Sequence, residues 1–274
     1  MPELLVVAGH DPSYGEVGGV LEGAGVDADR EAAEAFGVRA LTVVTAWTEQ
    51  AGGKVTSLGA VEPAIWLREA LQLVEERRGT LGALKLGMLP NESAVRAASE
   101  LVRRARRLVP RLWVVVDPVL AASGGEALSS DAARRALAED LLAQGVVLTP
   151  NRPEARELLA LSRPELAGRA PKLAPEELAL ALFGALSAGR GSETRRGLVL
   201  KGGHGGEDPV RDLVLGPGGA SAVHEHPRRV RRSLHGSGCR HASAVAAGLC
   251  KGQDLPSAAA AAGAWLGERF ADLP

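Results

Sequence analysis

Leu112-Trp113-Val114-Val115-Val116-Asp117-Pro118 is the run that decides the fold. A short continuous apolar stretch, rich in β-branched residues and closed by a turn signal, reads as a strand buried on both faces. Pro118 bars Asp117 from helical geometry, so the strand ends in an acidic turn. The same rhythm recurs in Leu4-Leu5-Val6-Val7-Ala8, Ala40-Leu41-Thr42-Val43-Val44, Ala83-Leu84-Lys85-Leu86, Val146-Val147-Leu148 and Leu198-Val199-Leu200. Between these runs lie longer amphipathic segments, Asp29 to Phe36, Glu62 to Arg77, Ser93 to Leu108 and Ser130 to Leu142, with charged residues on one face. Short apolar runs alternating with helical patterns give a doubly wound α/β domain around a parallel sheet. After Lys201 the pattern changes to two short extended pieces, Arg211 to Leu215 and Ala220 to Glu225, which predict antiparallel strands and a sheet mixed at that edge. The 274 residues read as one domain spanning 1–274.

Composition narrows the partners. Hydrophobic residues make up 46% and charged residues 24%, the balance of a folded globular chain. Lys plus Arg number 32 against 33 Asp plus Glu, so a net charge of −1 offers no field for gathering nucleic acid or an anionic membrane. Phosphate binding must therefore be local. Met1-Pro2-Glu3 lacks the basic region of a secretory signal and no apolar stretch reaches a membrane span, which predicts a cytoplasmic protein. Cys239 and Cys250 form no disulfide framework or metal-ligand spacing, and His224 and His226 alternate as on a strand, so no structural zinc is expected.

In open α/β sheets ligands bind outside the carboxyl ends of the strands, which directs attention to the turns. These are Gly9-His10-Asp11, Thr45-Ala46, Gly87-Met88, Asp117-Pro118, Thr149-Pro150-Asn151 and Lys201-Gly202-Gly203-His204. To them is added His235-Gly236-Ser237-Gly238-Cys239, which leads into the small-residue stretch Ala242 to Gly248. The glycines and the exposed N–H groups of a helix start make an anion-binding turn. Cys239 falls in its first turn, where the helix field and Arg240 favour a thiolate; the other reading is a glycine-rich entry to a packing helix, with Cys239 a small hydrophobe.

The other turns also carry two readings each. Asp117 is a turn-forming Asp-Pro or a carboxylate placed for magnesium or water. Asn151-Arg152-Pro153-Glu154 caps a helix, with Asn151 at its start and Glu154 at the third position, or turns both side chains toward phosphates through magnesium and water. Lys201 ends a strand and either reaches a phosphate or snorkels to solvent. Taken together, an anion turn, a cation, acidic magnesium anchors and a group near the acceptor are the parts of phosphoryl transfer. No Gly-x-x-x-x-Gly-Lys-Ser/Thr loop is present, and Gly23-Ala24-Gly25 does not follow a strand as a dinucleotide fingerprint would. The glycine-rich stretch Pro12 to Gly25 reads as a flexible loop and a candidate lid, and Arg163 to Lys172 as a surface connection.

Ala8-Gly9-His10-Asp11-Pro12-Ser13, Gly23-Ala24-Gly25-Val26-Asp27-Ala28-Asp29, Leu86-Gly87-Met88-Leu89, Val115-Val116-Asp117-Pro118-Val119, Leu148-Thr149-Pro150-Asn151-Arg152-Pro153-Glu154, Leu200-Lys201-Gly202-Gly203-His204 and His235 to Cys239 follow one another in this order. In that order the chain resembles the hydroxymethylpyrimidine/phosphomethylpyrimidine kinases of the ribokinase-like superfamily, which act in thiamine biosynthesis. The resemblance implies a three-layer α/β/α sandwich, a mostly parallel central sheet with antiparallel edge strands, and ATP and Mg2+ as co-substrate and cofactor. It places Cys239 beside the acceptor hydroxyl or phosphate and makes Gly236, Ser237 and Gly238 the anion hole. It sets Lys201, Asn151 and Gly203 at the nucleotide, Asp117 and Glu154 at the metal, and Asp29, Thr48, Gln50, Met88 and Val119 around the pyrimidine. The Gln50 amide can donate to and accept from an aminopyrimidine edge, while Met88 and Val119 offer apolar faces. The resemblance also implies a homodimer.

The chain departs from the family pattern in three places. The first glycine loop is longer, Ala51-Gly52 replaces the usual Asn-Thr after Gln50, and Arg240-His241 replaces the usual threonine and apolar residue after Cys239. Two other readings follow from this: a pyridoxal or pyridoxine kinase, whose acceptor is also a hydroxymethyl group on a heteroaromatic ring, and a non-catalytic pyrimidine or nucleotide sensor on the same fold.

Overall fold

The structure, a computed structural model, describes residues 1–12, 16–17, 20–21, 23–51, 54–122, 125–187, 195–203, 208–219, 221–227 and 234–271. Its strands are β1 (Glu3–Asp11), β2 (Glu16–Val17), β3 (Val20–Leu21), β4 (Ala24–Gly25), β5 (Arg39–Ala51), β6 (Lys54–Ala60), β7 (Leu81–Leu86), β8 (Trp113–Val116), β9 (Val147–Leu148), β10 (Gly197–Leu200), β11 (Val210–Leu215) and β12 (Ser221–His226). Its helices are α1 (Val26–Ala35), α2 (Pro63–Arg77), α3 (Glu92–Leu108), α4 (Asp131–Ala136), α5 (Arg152–Ser162), α6 (Pro175–Ser187), α7 (Ser237–Cys250) and α8 (Leu255–Ala271).

One large sheet runs β12-β11-β10-β9-β8-β7-β1-β5-β6, with β4 paired to β1. Pairing is parallel from β10 through to β5. It is antiparallel at β10–β11, β11–β12 and β5–β6. The expected strands are all present, but the sheet is mixed at both edges rather than one. The unexpected edge is β6, whose run Lys54 to Ala60 is too polar and too exposed to show an apolar stretch. Part of the expected lid, Ala24–Gly25, pairs on β1 instead, and Glu16–Val17 pairs with Val20–Leu21; the rest of Pro12 to Gly25 lies largely outside the described residues.

Strand alternation builds two cores. Leu5, Val7, Leu84, Leu86, Val114, Val116, Leu148, Leu198 and Leu200 face α2 to α6. Leu4, Val6, Ala8, Ala83, Val115, Val147 and Val199 face α1, α7 and α8. The second face uses mainly valine and alanine, and α7 answers with a run of buried alanines, so this helix lies close to the sheet. That closeness delivers the start of α7 to the carboxyl ends of the strands.

Candidate active site

The strand ends surround one cavity of about 690 Å3. Asp117, Asn151, Glu154, Lys201 and the stretch His235 to Cys239 meet in it. Strand register does the gathering. Asp117 N donates to Leu86 O at 2.9 Å, Thr149 N to Val116 O at 3.0 Å and Lys201 N to Pro150 O at 2.9 Å. Asn151 and Lys201 bridge in parallel just past the ends of β9 and β10. Chain positions 84 residues apart, Asp117 and Lys201, are thereby joined by an ion pair of 2.9 Å between Nζ and Oδ1.

Gly236 caps α7 with a φ of 72°, and a Cβ there would lie 3.0 Å from Ala24 Cα and 3.1 Å from Gly23 O. Only glycine fits this left-handed turn against another backbone segment. The first-turn N–H groups of α7 therefore emerge at the cavity without intrahelical acceptors. Gly238 directs that end toward the ion pair: a Cβ on it would lie 3.4 Å from Lys201 Nζ and 3.8 Å from Asp117 Oδ2. A helix start, a lysine ammonium and space between them make a built anion site.

Asn151 and Glu154 form a complete capping box. Asn151 Oδ1 accepts from Glu154 N at 2.9 Å, and Glu154 Oε2 accepts from Asn151 N at 2.8 Å. Capping is thus what these side chains do in the protein alone, while both still line the cavity. Burial pushes the Glu154 carboxyl up to about 7; Lys201 opposes that shift and Asp117 adds to it. Burial also acts upward on Asp117, but Lys201 and Lys85 outweigh it and hold this carboxyl below the usual range. Lys201 is not a snorkelling surface lysine, since its side chain is 14% exposed and ion-paired.

Among the described residues no cluster of three His, Cys, Asp or Glu groups could hold a metal. Two carboxylates beside an anion site fit magnesium, which takes one or two carboxylates and keeps its waters and phosphate oxygens. In that role Glu154 must be ionised. The magnesium concentration for half-maximal rate is expected to rise as pH falls from about 8 to about 6; initial rates should show this slope, and the Glu154→Gln variant should lack it. The sign for stability is opposite: the raised Glu154 pKa favours the folded protein below about 4.5, and that contribution is lost as pH rises through about 7.

The cavity has two chemically different ends. At one, Thr48, Met88 and Val119 line the wall with His10, whose ring meets Trp47 edge-on at 4.9 Å between centroids. Thr48 is anchored by a hydrogen bond of 3.4 Å to His10 O. At the other, Val210, Pro227, Leu266 and Phe270 give apolar walls around Asp212, His226 and His241. Between the ends lie the anion site and Cys239.

A phosphomethylpyrimidine kinase family model matches residues 21–272. The chain belongs to the phosphomethylpyrimidine kinase family. A Streptomyces coelicolor protein named hydroxymethylpyrimidine/phosphomethylpyrimidine kinase is 35% identical over 266 residues, 95% of this chain and 86% of that one. The crystal structure of the Clostridium difficile phosphomethylpyrimidine kinase superposes with a TM-score of 0.74 at 22% identity, covering 98% of this chain and 100% of that one. A Staphylococcus aureus pyridoxal kinase in complex with pyridoxal reaches 0.76 at 23% identity, over 99% of this chain and 88% of that one. These likenesses show the fold, a mostly parallel sheet with antiparallel edge strands between two layers of helices. As a member of this kinase family the chain is a phosphotransferase.

Two expectations carried by the kinase family resemblance and the sequence change on the structure. Asp29 does not line the cavity: it is fully buried, takes Lys85 Nζ at 2.8 and 2.9 Å, and accepts from Ser243 Oγ at 2.7 Å. Nor is Cys239 a thiolate. Burial pushes its thiol up to about 11, with Lys85 pulling down and Asp29 and Asp117 pushing further up. Arg240 gives no help, because its guanidinium is turned into the protein, held by Glu31 at 2.7 and 2.8 Å and by the carbonyls of Gly23 and His235. The Gln50 side chain and His204 lie outside the described residues.

Sequence reasoning missed Lys85 and His241. Lys85 stood inside an apolar strand, a placement that signals a buried partner. Burial lowers its pKa, but the Asp29 carboxylate, with Asp117 behind it, holds its ammonium above the ordinary lysine range. Lys85→Met leaves Asp29 buried without a counter-ion and is expected to cost about 3–5 kcal/mol of stability in urea titration; a loss under about 1 kcal/mol would contradict that pairing.

Proposed function

We propose that this kinase transfers the γ-phosphoryl group of magnesium ATP to the hydroxymethyl oxygen of 4-amino-5-hydroxymethyl-2-methylpyrimidine, and then a second phosphoryl group to the monophosphate. The observation that carries the reading is the α7 start aimed at the Lys201–Asp117 pair in one cavity, whose lining has Thr48, Met88 and Val119 at one end and Val210, Pro227, Leu266 and Phe270 at the other. The nucleoside takes the apolar end, and its phosphates lie at Lys201 and the first turn of α7. The pyrimidine rests against Met88 and Val119 with its hydroxymethyl group toward Cys239. Glu154 and Asp117 would hold magnesium, which when bound neutralises charge on the phosphates.

The acceptor oxygen forms the new P–O bond while the bond between the γ-phosphorus and the bridging oxygen breaks, releasing ADP. Such transfers are loose, so the hydroxyl proton leaves late, to an oxygen of the transferred phosphoryl group or to water, and positioning and charge stabilisation dominate. Cys239 as a neutral thiol suits that demand by orienting the acceptor oxygen. Lys201 and the Gly236-Ser237-Gly238 turn stabilise the transferring phosphoryl group. In the second transfer a phosphate oxygen replaces the hydroxyl as nucleophile.

Pyridoxal presents the same hydroxymethyl-on-ring geometry to this site. Rates of ADP release with each acceptor at equal concentrations separate the two, and a kcat/KM higher for pyridoxal would overturn the pyrimidine reading. Convergence of Lys201, Asp117, Asn151, Glu154 and Cys239 on one cavity supports turnover rather than sensing.

A further inference from the structure

His241, at the cavity's nucleoside end, is 3% exposed and lines the cavity. Among the described residues neither Nδ1 nor Nε2 has a hydrogen-bond partner. Buried polar atoms are rarely left so, and those of a side chain that lines a cavity have what enters it within reach of a small turn of the ring. Asp212 Oδ2 lies 3.6 Å from Nε2, too far for a hydrogen bond yet close enough to orient the ring. Asp212 is itself fixed, accepting from Gly202 N at 2.8 Å and facing His226 Nε2 at 3.5 Å.

The tautomer follows. Burial keeps the ring neutral at physiological pH. Its one proton belongs on Nε2, facing the Asp212 carboxylate, which leaves Nδ1 with a lone pair to accept a hydrogen. The other charged groups that act on the ring are Lys201, Asp117 and His226, and Lys201 is already committed to Asp117 at 2.9 Å. His241 lies one helical turn beyond Gly238, near enough to Lys201 to feel its charge, and shares the cavity lining with Val210, Pro227, Leu266 and Phe270. A group that donates a hydrogen and lies between phosphates and base in a nucleotide is a sugar hydroxyl. We propose that His241 Nδ1 accepts a hydrogen bond from a ribose hydroxyl of the nucleotide, with Asp212 setting the ring, so that this chain reads the sugar of its phosphoryl donor. The proposal rests on the nucleotide-binding reading above and adds to it a residue that stands where the family pattern has an apolar one.

Calorimetric titration of the whole protein with ADP, 2′-deoxy-ADP and 3′-deoxy-ADP tests it, with His241→Leu and His241→Gln alongside. Leucine is an apolar residue of the kind usual at this position, and glutamine keeps an acceptor oxygen. The wild type is expected to bind ADP about tenfold more tightly than one of the two deoxy analogues. His241→Leu is expected to lose about that factor for ADP and to stop distinguishing the sugars, and His241→Gln to keep part of the discrimination. Equal weakening of all three ligands in His241→Leu, or no change, would overturn the proposal while leaving the kinase reading intact. Failure of the wild type to bind ADP would overturn both.

Discussion

Lys201→Met is expected to lower kcat/KM by about 10³-fold, the largest effect of any single change in the site. The lysine is the cation between the start of α7 and the two carboxylates, 2.9 Å from Asp117 and within 3.4 Å of where a Cβ on Gly238 would stand. Removing it leaves Asp117 and Glu154 facing each other and the phosphates with only the more distant Lys85 acting on Asp117, so both carboxyl pKa values should rise. ADP affinity should fall as well as kcat, because the ammonium contacts the phosphates in the ground state and binds more strongly to the charge that develops in the transition state. Steady-state kinetics with ADP titration, run well below the unfolding transition, reads this directly. A loss under about tenfold would mean that the lysine serves mainly to keep Asp117 buried.

Cys239→Ala is expected to lower kcat by about 10²-fold or more while leaving ADP affinity within about twofold. The thiol lies in the first turn of α7 and lines the cavity, and its neutral form sets the kind of loss to expect. A thiol near 11 contributes no ionisation to the rate between pH 6 and 9. The wild-type and Cys239→Ala profiles should therefore have the same shape, differing in height. A limb near neutrality that disappears with the cysteine would show a thiolate at work and contradict the electrostatics of Lys85, Asp29 and Asp117.

The parallel strands were legible because each is an apolar run closed by a polar turn, as in Leu112 to Asp117 and Leu198 to Lys201. One helix start followed from Asn151, whose side chain accepts from Glu154 N as a cap should; the Asn91 cap, which accepts from Ala94 N, was passed over for a start at Ser93. β6 was not legible, because an exposed edge strand needs no apolar run, and its pairing with β5 depends on the sheet already being there. Which turns meet in the cavity followed from turn position, since every strand end of a parallel sheet opens on the same side; Asp29, which is on a helix and paired to Lys85, does not line it. The site's charge states did not follow from position. Whether Cys239 is a thiol or a thiolate depends on burial and on Asp29 and Lys85, which are 210 and 154 positions away in the chain. The direction of Arg240 likewise needed Glu31, brought near by the contact of α1 with α7. His241 was visible only as a departure from a pattern; that it lines a cavity, with both nitrogens buried and unsatisfied, is a property of the fold.

Phosphorus NMR of products formed from ATP, magnesium and 4-amino-5-hydroxymethyl-2-methylpyrimidine addresses the central claim most directly, with Cys239→Ala as the control. The site described here should yield the monophosphate and then the diphosphate, both strongly reduced in the variant. Absence of any pyrimidine phosphate from the wild type, with the pyrimidine nonetheless bound, would contradict it and make the protein a sensor.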